Sequence, residues 1–163
     1  MTPRVAAIVL ISVLGVSILS AQTHPLDSSL ALKPYLAALN VKDASKTADW
    51  YARNLGFAVT KVMDFPQYDS LRIIFLKRDA FELEVIQKRS SFDVRNVVPG
   101  YDQEKAPVQG IAKLAFMTHG LRQIADSLRQ KGVKIRYGPF DDEAFGIRSV
   151  IFEDLEGNLL RFA

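Results

Sequence analysis

The chain of 163 residues contains no cysteine and only two histidines, His24 and His119. The first absence excludes disulfides, a thiolate zinc site, a cysteine nucleophile and a lipid-modified N-terminal cysteine, so the core alone must hold the fold. The second leaves little material for an imidazole-rich metal centre. Clustered charge is lacking as well. The formal charge of +3 comes from Lys and Arg scattered along the chain, whereas a surface that tracks phosphates needs bunched cations. Nucleic acid is therefore not an expected partner. No Gly-rich phosphate loop, nucleophile elbow or Ser-His-Asp order is visible either.

What is present starts with a leader. Arg4 gives a short positive start, Val5 to Leu19 is an uncharged run dominated by Val, Ile, Leu and Ala, and Ser20-Ala21-Gln22 supplies small residues before a polar stretch. This is the pattern of a secretory signal peptide over residues 1–21. The run is short for a membrane span of about 20 residues, so no stable span is expected once the signal is removed. A periplasmic or secreted product is expected. Residues 22–34, polar and carrying Pro25 and Pro34, read as a tether. The remainder has the length and the balance of apolar and charged residues of one folded domain.

From Tyr35 onward one pattern occurs twice. Leu36 to Val41 is a short apolar strand. Asp43 is placed to cap a helix in which Ala44, Ala48, Tyr51 and Leu55 recur at helical spacing, and Gly56 can end it in a left-handed turn. Strands are expected at Ala58 to Phe65, Leu71 to Lys77 and Phe81 to Ile86, with a turn at Lys77-Arg78-Asp79. The second round has a strand at Lys113 to Thr118. A helical stripe of Leu121, Ile124, Ala125 and Leu128 then ends at Gly132, and strands follow at Val133 to Tyr137, Arg148 to Glu153 and Leu159 to Phe162. Two βαβββ modules, about residues 35–87 and 110–163, with a linker over 88–109, account for the domain at 35–163.

The duplicated unit and its markers resemble the vicinal oxygen chelate superfamily, the glyoxalase, bleomycin resistance and extradiol dioxygenase group. Trp50-Tyr51 before Leu55-Gly56-Phe57 is similar to that family's helix end. Asp154-Leu155-Glu156-Gly157-Asn158 is similar to its Asp-Pro-x-Gly-Asn hairpin, with Leu155 in place of Pro. The resemblance implies an α+β fold in which the two modules form a cupped mixed sheet. It also implies a divalent metal held by His or Gln from the first strand of each module and Glu from the fourth. Those positions fall on Leu36, Glu82, Lys113 and Arg161. Leu36 has no donor atom and two of the others are cations, so the family metal site is expected to be absent. Sliding Glu82 to Glu84 keeps the face but adds no further ligand type. His24 lies in the tether, and His119 is expected to cap the second helix or lie on the surface.

Strand alternation assigns Leu36, Ala38, Asn40, Glu82, Glu84, Lys113, Ala115, Met117 and Arg161 to the cup. It sends Leu39, Val41, Leu83, Val85, Leu114, Phe116, Leu160 and Phe162 to the core. Two fates for the charged set stay open. Either Glu82 and Glu84 pair with Lys113 and Arg161 and fill the old site, or Lys113 and Arg161 receive an anion such as a carboxylate. Asp141-Asp142-Glu143, near Gly138-Pro139, reads as a solvated turn. Phe65, Tyr68, Phe140 and Phe145 are expected in loops beside the cup, where they can line a pocket. The leading expectation is a metal-free binder of a small molecule, using Asn40, Glu82, Glu84, Lys113, Met117 and Arg161 and needing no cofactor. The alternative is a lyase, isomerase or dioxygenase with Glu82 or Glu84 as general base, for which a divalent metal is the expected cofactor. A homodimer formed edge to edge is the third.

Overall fold

A computed structural model describes residues 33–163. The expected signal peptide, His24 and all but the last two residues of the tether lie outside the described residues. The element order is β1 (Leu36–Val41), α1 (Ala44–Leu55), β2 (Ala58–Phe65), β3 (Leu71–Arg78), β4 (Phe81–Gln87), α2 (Val94–Val97), β5 (Leu114–Phe116), α3 (Leu121–Gln130), β6 (Ile135–Asp142), β7 (Ile147–Glu153) and β8 (Leu159–Phe162). Among the described residues no helix is long and apolar enough to cross a membrane.

Two βαβββ modules are present, and each makes its own four-stranded mixed sheet, ordered β1-β4-β3-β2 and β5-β8-β7-β6. In both, the first strand pairs in parallel with the fourth and the other pairings are antiparallel. The local signals act as physical chemistry dictates. Asp43 accepts a 3.0 Å bond from Lys46 N, satisfying a free donor at the start of α1. Gly56 sits at φ 70 in the left-handed region, its N–H bonded to Ala52 O.

One face of each sheet is covered by its helix. Leu39, Val41, Leu83, Val85, Leu160 and Phe162 are buried there, with Leu114 and Phe116 packed against them, as alternation requires. The modules share this core through edge-to-face aromatic contacts. Phe116 of the second module stands 6.3 Å from Phe57 and 5.3 Å from Phe81 of the first, ring centre to ring centre. Such pairs add about 0.5–1.5 kcal/mol each beyond the area they bury. The other face of each sheet is left open, and the functional candidates stand on it.

Three expectations need correction. β5 spans only Leu114–Phe116, its ladder with β8 running over three residue pairs, so Lys113 and Met117 flank the strand rather than lie in it. β6 does not stop at Tyr137 but runs to Asp142. Register shifts around Pro139, which has no N–H to give the ladder, let the strand continue past it. Phe140, Asp141 and Asp142 are therefore strand residues, not loop residues. The linker contains a short helix, α2, whose start is capped by Asp93 accepting from Arg95 N.

Candidate functional site

The family's ligand positions can now be located by register. Leu36 and Lys113 each stand eight residues ahead of their helix, at Ala44 and Leu121. Two residues further on, Ala38 pairs with Glu84 and Ala115 pairs with Arg161. Glu84 is thus the counterpart of Arg161, while Glu82 lies beside Leu36 one step along the same face.

The expected ion pairs between the modules do not form. Among the described residues, no salt bridge joins Glu82 or Glu84 to Lys113 or Arg161. Each sheet supplies its own partners at shorter reach. Glu82 stands opposite Lys77 across the β3–β4 ladder and accepts from its Nζ at 3.2 Å. Arg161 donates from Nε to Ser149 Oγ and from Nη2 to Asp142 Oδ2, both at 2.9 Å. Its side chain is only 13% exposed and that of Asp142 18%. The guanidinium carbon lies 5.7 Å from the centre of the Phe145 ring. Glu84 is half-buried and Lys113 exposed, and neither has an ion pair among the described residues. Asn40 is exposed and Met117 is 79% exposed on the open faces.

Sequence reasoning missed the part played by Asp142 and Ser149. Alternation along β7 could have supplied Ser149, which shares a face with Ile151, the register partner of Arg161. Gly138 also belongs to this seat. At φ +94 it lies in the left-handed region, and a Cβ there would stand 2.7 Å from Ser149 O. His119 is exposed, and α3 is headed by Gly120 with no side-chain cap bond, so His119 is a surface residue and not the cap.

A second charged group stands at the far end of β6 and β7. Arg136 donates to Glu153 at 3.0 Å and to Glu104 of the linker at 2.7 Å, and Lys134 donates to Glu153 at 2.8 Å. This ties the linker to the second sheet. A cleft lies away from all these groups. It holds about 500 Å³ between the ends of α1 and α3, lined by Trp50, Arg53, Asn54, Lys131, Gly132 and Val133. Lys131 Nζ is already spent there on Arg53 O at 2.9 Å.

The donor set does not suit a divalent metal. Leu36 offers no lone pair, Glu82 is engaged by an ammonium, Arg161 is fixed by Asp142 and Ser149, and Lys113 adds a second positive charge, so among the described residues Glu84 is the one free carboxylate at these positions. Among the described residues there is no group of three or more His, Cys, Asp or Glu that could hold one.

The hairpin motif is structural. Asp154 is 6% exposed and its carboxylate accepts from Glu156 N, Asn158 N, Asn158 Nδ2 and the Tyr51 hydroxyl. Burial, then the Asp154 charge, hold the Tyr51 phenol far above its ordinary value of 10.0.

Paired βαβββ modules with an open face on each sheet define a glyoxalase-like protein. Residues 34–162 match the model of the Glyoxalase/Bleomycin resistance protein/Dioxygenase superfamily, and the chain belongs to that family. No curated protein matches it. Among solved structures it is similar to a glyoxalase family protein from Enterococcus faecalis, at 23% identity and a TM-score of 0.67, covering 80% of this chain and 95% of that one. It is also similar to the trypanothione-dependent glyoxalase I of Leishmania major, at 18% identity and a TM-score of 0.60, covering 81% and 86%. The fosfomycin resistance protein FosX from Listeria monocytogenes matches at 12% identity and a TM-score of 0.54, covering 82% and 90%. At these identities the likeness is one of fold.

Proposed function

We propose that this family member is an exported protein that binds a small molecule on the open face of its sheets without the metal chemistry of its enzymatic relatives. The observation that carries this is Arg161. A cation, fixed by Asp142 and Ser149, stands where a metal-binding relative would need a carboxylate. Export rests on the leader pattern of Arg4 and Val5 to Leu19. Metal analysis of the purified chain, before and after incubation with nickel, zinc and manganese, tests the proposal. Less than a tenth of an equivalent is expected on the order-of-magnitude argument of charge repulsion, and a stoichiometric ion would overturn it.

A second reading is an enzyme in which Glu84 is the general base. It is favoured by one fact: Glu84 is half-buried on the open face and has no ion pair among the described residues. Glu84→Gln would then abolish turnover of a small oxygenated substrate, whereas a binder would show no turnover to lose. A homodimer is supported by the strand edges, since among the described residues β1 pairs only with β4 and β5 only with β8. Light scattering of the purified chain tests it, and a monomer at all concentrations would exclude it.

A further inference from the structure

Arginine carries five N–H donors in one plane, which present two forks: a side fork of Nε and Nη2, and an end fork of Nη1 and Nη2. In Arg161 the side fork is spent, with Nε on Ser149 Oγ and Nη2 on Asp142 Oδ2 at 2.9 Å each. One face lies near the Phe145 ring, 5.7 Å from carbon to centroid. The end fork has no hydrogen-bond partner among the described residues. It is not sealed away either, because Arg72 Nε is the one buried side-chain polar atom among them that lacks a partner. Nη1 of Arg161 therefore keeps some contact with solvent, although the side chain as a whole is only 13% exposed.

We propose that this end fork is the seat of a carboxylate on the small molecule that the open face binds, an inference that rests on the binding role proposed above. Two parallel N–H···O bonds match a carboxylate in distance and plane, which an ammonium cannot do. Ser149, Asp142 and Phe145 restrain the guanidinium on an edge and a face, so docking costs little further rotamer freedom. Asp142 offsets the arginine's charge, and a second cation stands at the start of the neighbouring strand. Lys113, exposed, precedes the neighbouring strand β5 by one residue, two residues before Ala115, the register partner of Arg161, and has no ion pair among the described residues. A purely structural arginine would need only the bonds to Ser149 and Asp142. Such a role uses the side fork alone and leaves the end fork available to a ligand.

The test uses the full chain, labelled with 15N and with methionine and isoleucine methyl groups. It is titrated with benzoate and, separately, with benzamide, a probe of similar size without the charge. Benzoate is expected to shift the Arg161 Nε–H signal and the Met117 methyl signal, with benzamide at least about ten-fold weaker, and Arg161→Lys is expected to erase that preference. If both probes move the Met117 and Ile151 methyls equally while the Arg161 signal stays still, the carboxylate seat is refuted and binding on the face stands. If neither probe moves any open-face signal, the seat and the binding role fall together. Should Arg161→Lys fail to fold, the comparison of the two probes on the unaltered chain still decides.

Discussion

Tyr51 and Asp154 meet through a 2.9 Å hydrogen bond that joins the helix of the first module to the β7–β8 hairpin of the second. Nearby, Thr47 Oγ1 donates to Glu156 Oε1 at 3.2 Å. Tyr51→Phe should cost about 1–2 kcal/mol, because Asp154 keeps three other donors. Asp154→Ala should cost more, about 3 kcal/mol, since it strips the turn of all four bonds. Urea unfolding of the two variants checks the order, and equal losses would mean the hairpin closes without its carboxylate.

The same bond sets an alkaline limit. The Tyr51 phenol is held neutral in the fold, well above its ordinary value of 10.0. A group raised on folding contributes stability that is fully present below its unfolded value and is lost as the unfolded state begins to ionise. Stability should therefore decline above about pH 10, and the decline should be shallower in Tyr51→Phe. Unfolding midpoints between pH 8 and about pH 11 measure this, and identical slopes would count against it.

Two ion pairs on the open faces should behave differently. Asp142→Ala leaves Arg161, 13% exposed, without its charged partner, and should cost about 2–4 kcal/mol. Lys77→Ala acts on a pair that is 48% and 25% exposed and should stay within about 0.5 kcal/mol. Lys113→Met should also be nearly neutral in stability, because Glu82 keeps Lys77. Thermal melts of the three variants separate these outcomes, and a large loss in Lys113→Met would revive a pairing between the sheets.

Gly138→Ala should disturb the seat of Arg161. The added Cβ would meet the Ser149 carbonyl at 2.7 Å, in a backbone region that favours glycine. A loss of about 2 kcal/mol or more is expected, together with a shifted Arg161 Nε–H signal. A silent substitution would show that β6 has room to yield.

Much of this fold was legible in the sequence. β1, β2 and β8 fall on the expected residues because alternation, a capping Asp and a helix-ending Gly leave few other solutions. Even the Lys77–Glu82 pair could have been foreseen, since the turn at Lys77-Arg78-Asp79 sets those residues opposite each other. Arg161 and Asp142 were not foreseeable in the same way. They are 19 residues apart, and they meet only because register shifts carry β6 past Pro139. Asp141-Asp142-Glu143 looks like a solvated turn until that irregularity is known. That Lys113 lacks an ion pair among the described residues was hidden for a similar reason: a charge's partner depends on which sheet edge it faces, and periodicity is blind to that.

The linker is clasped at both ends by the second module. Arg95 donates to Glu156 O at 2.9 Å, and Glu104 accepts from Arg136. The first helix, in turn, is bolted to the second hairpin through Tyr51. A single proteolytic cut in the stretch between those clasps would sever the covalent thread without separating the halves. Expressed as two pieces divided there, the modules are expected to co-elute as one complex on size-exclusion chromatography, and separate elution would show that these contacts do not hold the halves together.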